Sequence, residues 1–427
     1  MRVIADLHIH SKYSRATSEQ MVIGEITRFA RVKGLNLVGT GDFTHPTWLK
    51  ELHDELVEIP GTNLYRHAKD SDSQVRYIIS GEVCTIFTHE RDTKKIHHVI
   101  LTPSLETAVQ INERLARHGD LTVDGRPTLD TSAPQLVEEV MEVSDMNVVI
   151  PAHVWTPWFS LFGAFSGFNR IEDCYQDMTK HIFALETGLS SDPPMNWRLS
   201  GLDKYALVSN SDSHSPWPWR IGREANVFDL ERLTYQELLD AIRSNNSERF
   251  KFTIETNPAY GKYHWTGHRS CDVSLPPQEA IKFGNRCPVC RRQLTKGVEQ
   301  RVEELADRPA GFRPEGAPGY MRLLPLSEII KAVLDVTYSG AQGVWRAYNC
   351  LVEEFGNEYA VLMDASQEKM SEIVDPRIAE AVVRVREEKV EVVPGYDGVY
   401  GRLLIFGEEG EGRQAKKAGQ ISMTDFV

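Results

Sequence analysis

The sequence predicts an α/β protein in which residues 1–257 form a closed barrel of about seven strand–helix units. Short apolar runs alternate there with longer amphipathic segments, and this alternation is typical of strands that pair in parallel through helical crossovers. Seven such units suit a barrel better than an open sheet. The predicted strands are residues 3–10, 36–43, 77–87, 97–102, 147–154, 183–188 and 206–212, and helices are predicted at 22–33, 108–118 and 134–143.

The pattern changes after residue 257, which indicates further domains. Residues 258–300 have few periodic apolar positions but contain three Cys and two His, so a small metal-binding module is predicted. A mainly helical C-terminal domain is predicted at 301–406, with a Pro/Gly-rich linker or extended loop at 308–319. Its helices are expected at 327–336, 343–355 and 377–389, before a strand–turn–strand segment at 390–406. Residues 407–427 begin with a charged, Gly-rich stretch and are expected to be a flexible tail.

The composition is that of an ordinary globular protein, with 41% hydrophobic and 26% charged residues among 427. No long apolar run or signal segment is present, so membrane insertion and secretion are not expected. We expect a cytoplasmic protein that associates with the nucleoid. The net charge of −13 argues against nucleic-acid binding when taken alone. Residues 258–300 reverse that sign, with seven basic and three acidic side chains, which fits either a nucleic-acid contact or an ordinary solvated surface.

Histidines and carboxylates recur where the predicted barrel strands end. The C-terminal ends of barrel strands meet at one mouth, so these side chains are expected to converge there. One such histidine alone would be an ordinary structural residue, but the whole set exceeds the ligands of one metal and predicts two or three divalent ions (Zn, Mn or Mg). The set comprises His8, His10, Asp42, His45, Glu82, His97, His98, His153, Asp212 and His214.

The motifs DLHIHSKYS, GTGDFTH, SGEV, HHVIL, PAHV and SDSH resemble those of the polymerase-and-histidinol-phosphatase (PHP) family of phosphoesterases. The resemblance implies a distorted seven-stranded (β/α) barrel with up to three metals at its C-terminal face. The ligand positions that it implies are His8, His10, Asp42, Glu82, His98, His153, Asp212 and His214.

Two departures from the family pattern affect this assignment. Arg15 follows Ser14 where many members have Asp, and Phe43 follows Asp42 where many have His. His45 is therefore expected to supply the displaced ligand. His98 is preferred to His97 because it aligns with the family through the apolar run that follows it.

A metal site of this kind activates water at neutral pH and holds phosphate oxygens, which predicts hydrolysis of a phosphomonoester or a phosphodiester. Asp212 is the residue expected to ligate a metal and also steer the nucleophile, with Glu82 and His214 as further catalytic residues. The barrel motifs alone do not separate a small-molecule phosphatase from a nuclease.

A second metal signal is HRSC followed, after fifteen residues, by CPVC. Two such knuckles complete a tetrahedral structural zinc site with His268, Cys271, Cys287 and Cys290, and His264 competes for the fourth position. Three arginines beside the second knuckle are candidates for phosphate contact, namely Arg286, Arg291 and Arg292.

Aromatic residues follow two of the predicted ligands. Trp155 and Trp158 come directly after His153, and Trp217 and Trp219 directly after His214. Such segments are either hydrophobic packing loops or a wall beside the mouth on which an unstacked base lies.

The barrel motifs, the HxxC/CPVC module and the C-terminal segment PGYDGVYG together resemble the endonuclease Q family over nearly the whole chain. The resemblance implies a DNA-binding C-terminal domain and incision of damaged DNA 5′ to uracil, hypoxanthine, xanthine or an abasic site, leaving a 3′-hydroxyl and a 5′-phosphate. Two other hypotheses remain at this point: a histidinol-phosphatase-like enzyme for small molecules, and a non-catalytic protein that binds damaged DNA.

The chain ends in QISMTDFV, in which Gln420, Met423 and Phe426 have the spacing of the motif that binds the sliding clamp PCNA. Val427 stands where that motif usually has an aromatic residue. The expected partners are therefore damaged DNA and the clamp, without a membrane or a small-molecule cofactor.

Overall fold

The computed structural model describes residues 1–70 and 72–407 and centres on a mixed sheet of 11 strands. Within the described residues the strands are β1 Arg2–Asp6, β2 Leu37–Gly39, β3 Leu56–Ile59, β4 Leu64–His67, β5 Arg76–His89, β6 Asp92–Thr102, β7 Thr128–Leu129, β8 Val148–Pro151, β9 Ala184–Glu186, β10 Ala206–Val208, β11 Ala225–Asp229, β12 Phe250–Glu255, β13 Thr266–His268, β14 Val273–Leu275, β15 Gly319–Arg322, β16 Glu391–Val393 and β17 Arg402–Leu404.

Helices lie between these strands and dominate the C-terminal part. They are α1 Ile23–Lys33, α2 Pro46–Glu55, α3 Leu105–Leu115, α4 Ala133–Met141, α5 Ile171–Tyr175, α6 Pro193–Asn196, α7 Tyr235–Ser244, α8 Pro277–Lys282, α9 Val298–Leu305, α10 Leu326–Val333, α11 Gln342–Phe355, α12 Gln367–Ile373 and α13 Pro376–Arg386. Several begin at a side-chain cap of the type that the sequence signals; the hydroxyl of Ser104, for example, accepts a hydrogen bond from the Thr107 amide at the start of α3.

Seven strands are connected in a circular order. Ladders join β1 to β2, β2 to β5, β5 to β6, β6 to β8, and β9 to β10. The Val154 amide donates to the Glu186 carbonyl (3.0 Å), which connects the end of β8 to β9. An isolated bridge between Ile9 and Ser213 connects the segment after β10 to the segment after β1. The strand ends that carry the chemistry are thereby brought to one side of this ring.

The expectation of uniformly parallel pairing was wrong. The ladders β1–β2, β2–β5 and β9–β10 are parallel, but β5–β6, β6–β8 and β1–β11 are antiparallel. The reason is a hairpin: β5 and β6 are long strands joined by a tight turn in which Glu90 has a left-handed backbone (φ 55°). No helix separates them, so the helical crossover that parallel pairing requires is missing there.

The predicted strands and helices are present with different bounds: β1 ends at Asp6 rather than at residue 10, whereas β5 and β6 are longer than predicted. The predicted boundary at residue 300 falls inside α9, and β15 extends the 11-stranded sheet by pairing with β12. The helices α10 to α13 share one hydrophobic cluster with residues of the N-terminal part such as Ile26 and Phe29 of α1. A buried ion pair also joins the two parts, between Lys33 Nζ and Glu358 Oε1 (2.7 Å).

In the part of the chain that the structure describes, no helix has the length and apolar character that a membrane crossing requires. Residues 408–427 lie outside the described residues, and with them the predicted tail and its clamp motif at Gln420, Met423 and Phe426.

Candidate metal centre

The site is built from residues that immediately follow short strands. His8 and His10 follow β1, His153 follows β8 and Asp212 follows β10, while Glu82 lies within β5. Two of these residues have left-handed backbones, His153 (φ 31°) and Asp212 (φ 47°), a conformation that non-glycine residues rarely adopt outside special sites. The chain turns sharply at these points, and the turns direct the side chains toward one another.

A first cluster contains His8, His10, Glu82 and Asp212, whose ligand atoms all lie within 4.8 Å of one another. His10 Nε2 is 3.0 Å from Asp212 Oδ1 and 3.2 Å from Glu82 Oε2. His8 Nε2 is 3.5 Å from the same Glu82 oxygen. Asp212 is the exposed member of this cluster, at 29% of its side chain, so it marks the side that opens to solvent.

A second cluster contains His97, His153 and again Glu82. His97 Nδ1 is 2.7 Å and His153 Nε2 is 3.1 Å from Glu82 Oε1. Glu82 therefore gives one oxygen to each cluster, and the two candidate metal positions are adjacent and connected by one fully buried carboxylate.

Three groups orient the imidazoles by occupying the nitrogen that faces away from the clusters. Glu186 lies 3.0 Å from His8 Nδ1, Asp42 lies 2.9 Å from His10 Nδ1, and the Thr156 hydroxyl lies 3.1 Å from His153 Nδ1. Partners of this kind fix the tautomer of a histidine and direct its other nitrogen at a metal.

The donor set fits divalent metals. His8 Nε2 is buried and has no hydrogen-bond partner among the described residues, although its other nitrogen is fully engaged. Buried polar atoms are rarely left in this state unless a missing ion or water satisfies them. Imidazole nitrogens and carboxylate oxygens suit Zn or Mn, and four histidines with two carboxylates provide enough ligands for two ions.

The charges of the centre support the same conclusion. Burial raises the pKa of Glu82, but His97, Arg126 and His8 together hold it well below its ordinary value. Burial likewise acts against ionisation of Asp212, but His10 and His214 hold its pKa well below the usual range. Both carboxylates are therefore anionic at neutral pH, which is the form that binds a cation.

The structure places His97 in the centre and His98 outside it, which corrects the preference for His98. His98 Nε2 is 2.9 Å from the Thr85 hydroxyl, and its Nδ1 is 2.8 Å from the Tyr175 hydroxyl, so both nitrogens are engaged elsewhere. The register explains this: in the β5–β6 ladder Glu82 pairs with Val99 and Cys84 with His97, so Glu82 and His97 share a face. His98 is opposite Val83 and faces the other way.

His45 and Asp42 also have roles other than those predicted. His45 Nδ1 accepts a hydrogen bond from the Trp48 amide at the start of α2, and its Nε2 lies 3.2 Å from the Thr122 carbonyl. Asp42 Oδ1 is occupied by His10, and its Oδ2 accepts hydrogen bonds from Ser11 and Ser14. Neither residue belongs to the clusters, and Asp42 instead orients His10.

His214 lies beside the first cluster without joining it. Its ring is tilted against that of His10, with centroids 4.4 Å apart, and its Nδ1 is 3.8 Å from Asp212 Oδ1. Burial and the neighbouring His10 lower the pKa of His214 to about 4, so the imidazole is neutral at physiological pH. A role for His214 as a ligand or catalytic residue remains a prediction.

Sequence reasoning missed Glu186 and Arg126. Glu186 ends β9 in the stretch ALETG, the same strand-end signal that identified the other site residues. Arg126 carried no such signal, since it lies in the loop before β7; its Nη1 donates to Glu82 Oε2 (3.1 Å).

The residues of the second metal signal also come together. His268, Cys271, Cys287 and Cys290 have ligand atoms within 4.8 Å of one another, with His268 Nδ1 3.6 Å from Cys290 Sγ. His268 ends β13, and Cys271 lies in the connection between β13 and β14. His264 is outside this group, and its Nε2 instead faces Glu299 at 3.5 Å. Three thiols and one imidazole are a typical donor set for structural zinc.

The predicted DNA-contact residues differ in exposure. Trp155 is buried, and its indole donates to Asn196, so it belongs to the core. Trp158 is 40% exposed and stacks on Phe165, which is 48% exposed, with ring centroids 4.9 Å apart. Trp217 and Trp219 stack at 5.6 Å. The three arginines of the zinc segment, Arg286, Arg291 and Arg292, are exposed.

Comparison with known proteins gives matches over part and over all of the chain. A family model described as the MJ0043 C-terminal domain matches residues 325–389. The protein MJ0043 of Methanocaldococcus jannaschii is 32% identical over 256 residues, which are 58% of this chain and 31% of that protein. The chain thus spans about a third of that relative.

Two solved structures match almost the whole chain. The lesion-specific endonuclease of Pyrococcus furiosus has a TM-score of 0.85 and 33% identity, covering 97% of this chain and 98% of its own. An endonuclease Q bound to a 27-mer duplex with an abasic lesion at its active site has a TM-score of 0.84 and 34% identity, covering 96% and 98% respectively.

Proposed function

The chain belongs to the endonuclease Q family and is a metal-dependent hydrolase of the nuclease class, and from this premise we propose that it incises damaged DNA. The bond cut is the phosphodiester 5′ to a deaminated base (uracil, hypoxanthine or xanthine) or to an abasic site, and the products are a 3′-hydroxyl and a 5′-phosphate. The relative that holds an abasic duplex at its active site supports the choice of substrate.

The observation that carries this proposal is the division of Glu82 between two groups of imidazoles. A carboxylate placed in this way would hold two metal ions close together, and paired metals of this kind hydrolyse phosphate esters in many enzymes. The seven-strand ring around them supports the PHP barrel that the motifs predicted.

Each residue of the centre has a part in this reaction. His8, His10, His97, His153, Glu82 and Asp212 would hold the metals, while Glu186 and Asp42 orient two of the histidines. Divalent metals held there would lower the pKa of water and neutralise charge on the phosphate. Asp212 lies at the open side, where its second oxygen would accept a hydrogen bond from the attacking water and orient it. His214, beside Asp212, is the proposed further catalytic residue.

The exposed pair Trp158 and Phe165 supports a DNA substrate over a small phosphate ester. The pair lies in the loop that follows His153, and Phe159 of the same loop packs against His97 at 5.1 Å. An exposed aromatic surface beside a metal centre suits an unstacked base, because stacking is worth about 1–3 kcal/mol per base. A mispaired or damaged nucleotide leaves the duplex at the lowest cost, and this is a source of lesion selectivity.

Two further parts of the proposal concern the periphery. We expect one structural zinc at the Cys3His group, with Arg286, Arg291 and Arg292 nearby to contact the phosphate backbone.

The spacing of Gln420, Met423 and Phe426 supports docking on the sliding clamp. Clamp pull-down with Met423→Ala and Phe426→Ala tests this, and undiminished capture of the double variant would exclude the motif.

The central experiment uses single-lesion duplexes labelled at the 5′ end, with metals removed and then added back. Wild-type protein is expected to cut only lesion-containing strands and only with metal. Asp212→Asn is expected to lose incision while retaining affinity for the lesion duplex. Turnover of a phosphomonoester with no cutting of any lesion duplex would instead identify a small-molecule phosphatase.

A further inference from the structure

Arg126 brings a cation into contact with the metal centre. Its Nη1 donates to Glu82 Oε2 (3.1 Å), the same oxygen that faces His8 and His10 in the first cluster. Glu82 is fully buried, whereas 27% of the Arg126 side chain remains exposed. Arg126 therefore lies at the edge of the buried cluster and is partly exposed, as Asp212 is (29%).

The loop that carries Arg126 is held in place on both sides. The Gly125 amide donates to the Tyr13 carbonyl (3.0 Å), and the Thr44 hydroxyl donates to the Gly125 carbonyl (3.0 Å). A Cβ atom at Gly125 would lie 2.3 Å from Asp42 Oδ2, so the backbone packs directly against the group that orients His10. On the other side the Cys84 amide donates to the Pro127 carbonyl (2.9 Å), which ties the loop to β5.

The electrostatics of the centre give such a cation a purpose. Glu82 and Asp212 are anionic, and a phosphodiester that approaches the open side is an anion as well. The guanidinium has five donors in a planar fork that matches phosphate oxygens, and it stays charged at any working pH. Glu82 Oε2 is also a candidate metal ligand, so metal at the first cluster competes for the oxygen that Arg126 contacts.

We propose that Arg126 donates hydrogen bonds to a non-bridging oxygen of the scissile phosphodiester and stabilises the charge that develops there during hydrolysis. The proposal rests on the proposed nuclease function and assigns Arg126 a direct contact with the substrate. The competing role is structural: Arg126 would then only hold Glu82 in position for the metals.

The test compares Arg126→Met, Arg126→Lys and the control Arg249→Ala. Arg249 also pairs with a carboxylate, Glu237, and has a similarly exposed side chain (35%). Arg249 lies at the opposite end of β1 from the metal centre. Its carbonyl accepts a hydrogen bond from the Asp229 amide, and Asp229 pairs with Arg2 at the beginning of β1, whereas the metal centre follows the end of β1. Each protein is assayed for metal content, for affinity to an abasic duplex without metal, and for single-turnover incision.

We expect Arg126→Met to keep its metals and its folding while single-turnover incision falls by at least ~100-fold, as for other lost transition-state donors. Arg126→Lys is expected to recover part of the rate, and Arg249→Ala to match the wild type. The metal-free wild type is expected to bind the abasic duplex more tightly than Arg126→Met. A neutral methylphosphonate at the scissile linkage should slow the wild type and slow Arg126→Met less.

Loss of metal from Arg126→Met, with incision restored by excess metal, would overturn the proposal and assign Arg126 the role of positioning Glu82. An incision rate unchanged from the wild type would overturn it too. Failure of the wild type and of Arg249→Ala to cut any lesion duplex would instead overturn the nuclease function on which the proposal rests.

Discussion

Glu186 holds His8: a carboxylate oxygen at the end of β9 lies 3.0 Å from His8 Nδ1. Both oxygens of Glu186 are engaged further, since Asn210 donates to one (2.8 Å) and the His153 amide to the other (2.8 Å). One buried carboxylate thereby connects three of the turns that form the centre, although it belongs to neither metal cluster. Its position leads to the first prediction.

Replacing Glu186 with Gln is expected to weaken metal binding by about 10- to 100-fold, because the amide no longer stabilises the His8 orientation and basicity. Incision should fall at limiting metal and recover at high metal. Metal titration followed by incision checks this. Glu172→Gln serves as the control, since Glu172 is a partly exposed carboxylate that pairs with Lys204. Equal metal affinity of Glu186→Gln and wild type would show that the contact does not matter.

The two adjacent histidines of β6 are expected to respond differently to alanine. His97→Ala removes a side chain of the second cluster and should reduce incision by more than ~100-fold with little change in unfolding. His98→Ala removes two buried hydrogen bonds and should cost about 1–3 kcal/mol of stability while incision persists below the unfolding temperature. Incision rates and urea unfolding of both variants test this prediction. The reverse pattern would restore His98 as the site residue.

Chelation of the structural zinc is expected to unfold the segment around β13 and β14, because that segment has only a small hydrophobic cluster of its own. Cys287→Ser should lower the zinc content by one ion per chain and expose the segment to protease. Cys350→Ser, which changes an exposed cysteine outside the group, should retain all zinc. Full zinc content in Cys287→Ser would exclude this assignment.

Glu224 predicts a pH effect on stability. Burial raises its pKa from 4.5 to about 8, and Ser209 lies between it and a second buried carboxylate, Glu255. The native state therefore holds a proton that the unfolded state releases near pH 4.5, so this residue costs stability progressively as pH rises from about 4.5 to 8. Glu224→Gln is expected to raise the melting temperature at pH 8 and to change it little at pH 5. An equal shift at both pH values would contradict the proton assignment.

The sequence predicted the residue types of the centre because strand ends leave a clear signal in the chain. It could not separate His97 from His98, since both follow the same pattern and only the pairing of β5 with β6 decides which one shares a face with Glu82. Register depends on a hairpin turn and on the partner strand, which a linear pattern does not contain.

The roles of Asp42 and Arg126 depend on distance in the same way. Asp42 has the residue type of a ligand, but Ser11 and Ser14 occupy one oxygen and His10 the other. Arg126 reaches Glu82 from a loop 44 positions away in sequence, and no local pattern predicts such a contact. Chemistry at strand ends was therefore predictable, and the division between ligands and their supports was not.

The parallel ladder of β12 with β15 has a topological consequence. Glu255 pairs with Arg322, so the chain leaves one edge of the sheet after β12 and returns to that same edge some sixty residues later. The residues between β12 and β15, which include the Cys3His group, are thus an insertion between two strands that pair with each other. The cost of closing such a loop grows only with the logarithm of its length, by about 0.6 kcal/mol for each doubling. Evolution can therefore lengthen, shorten or exchange this insertion without changing the strands that carry the metal centre.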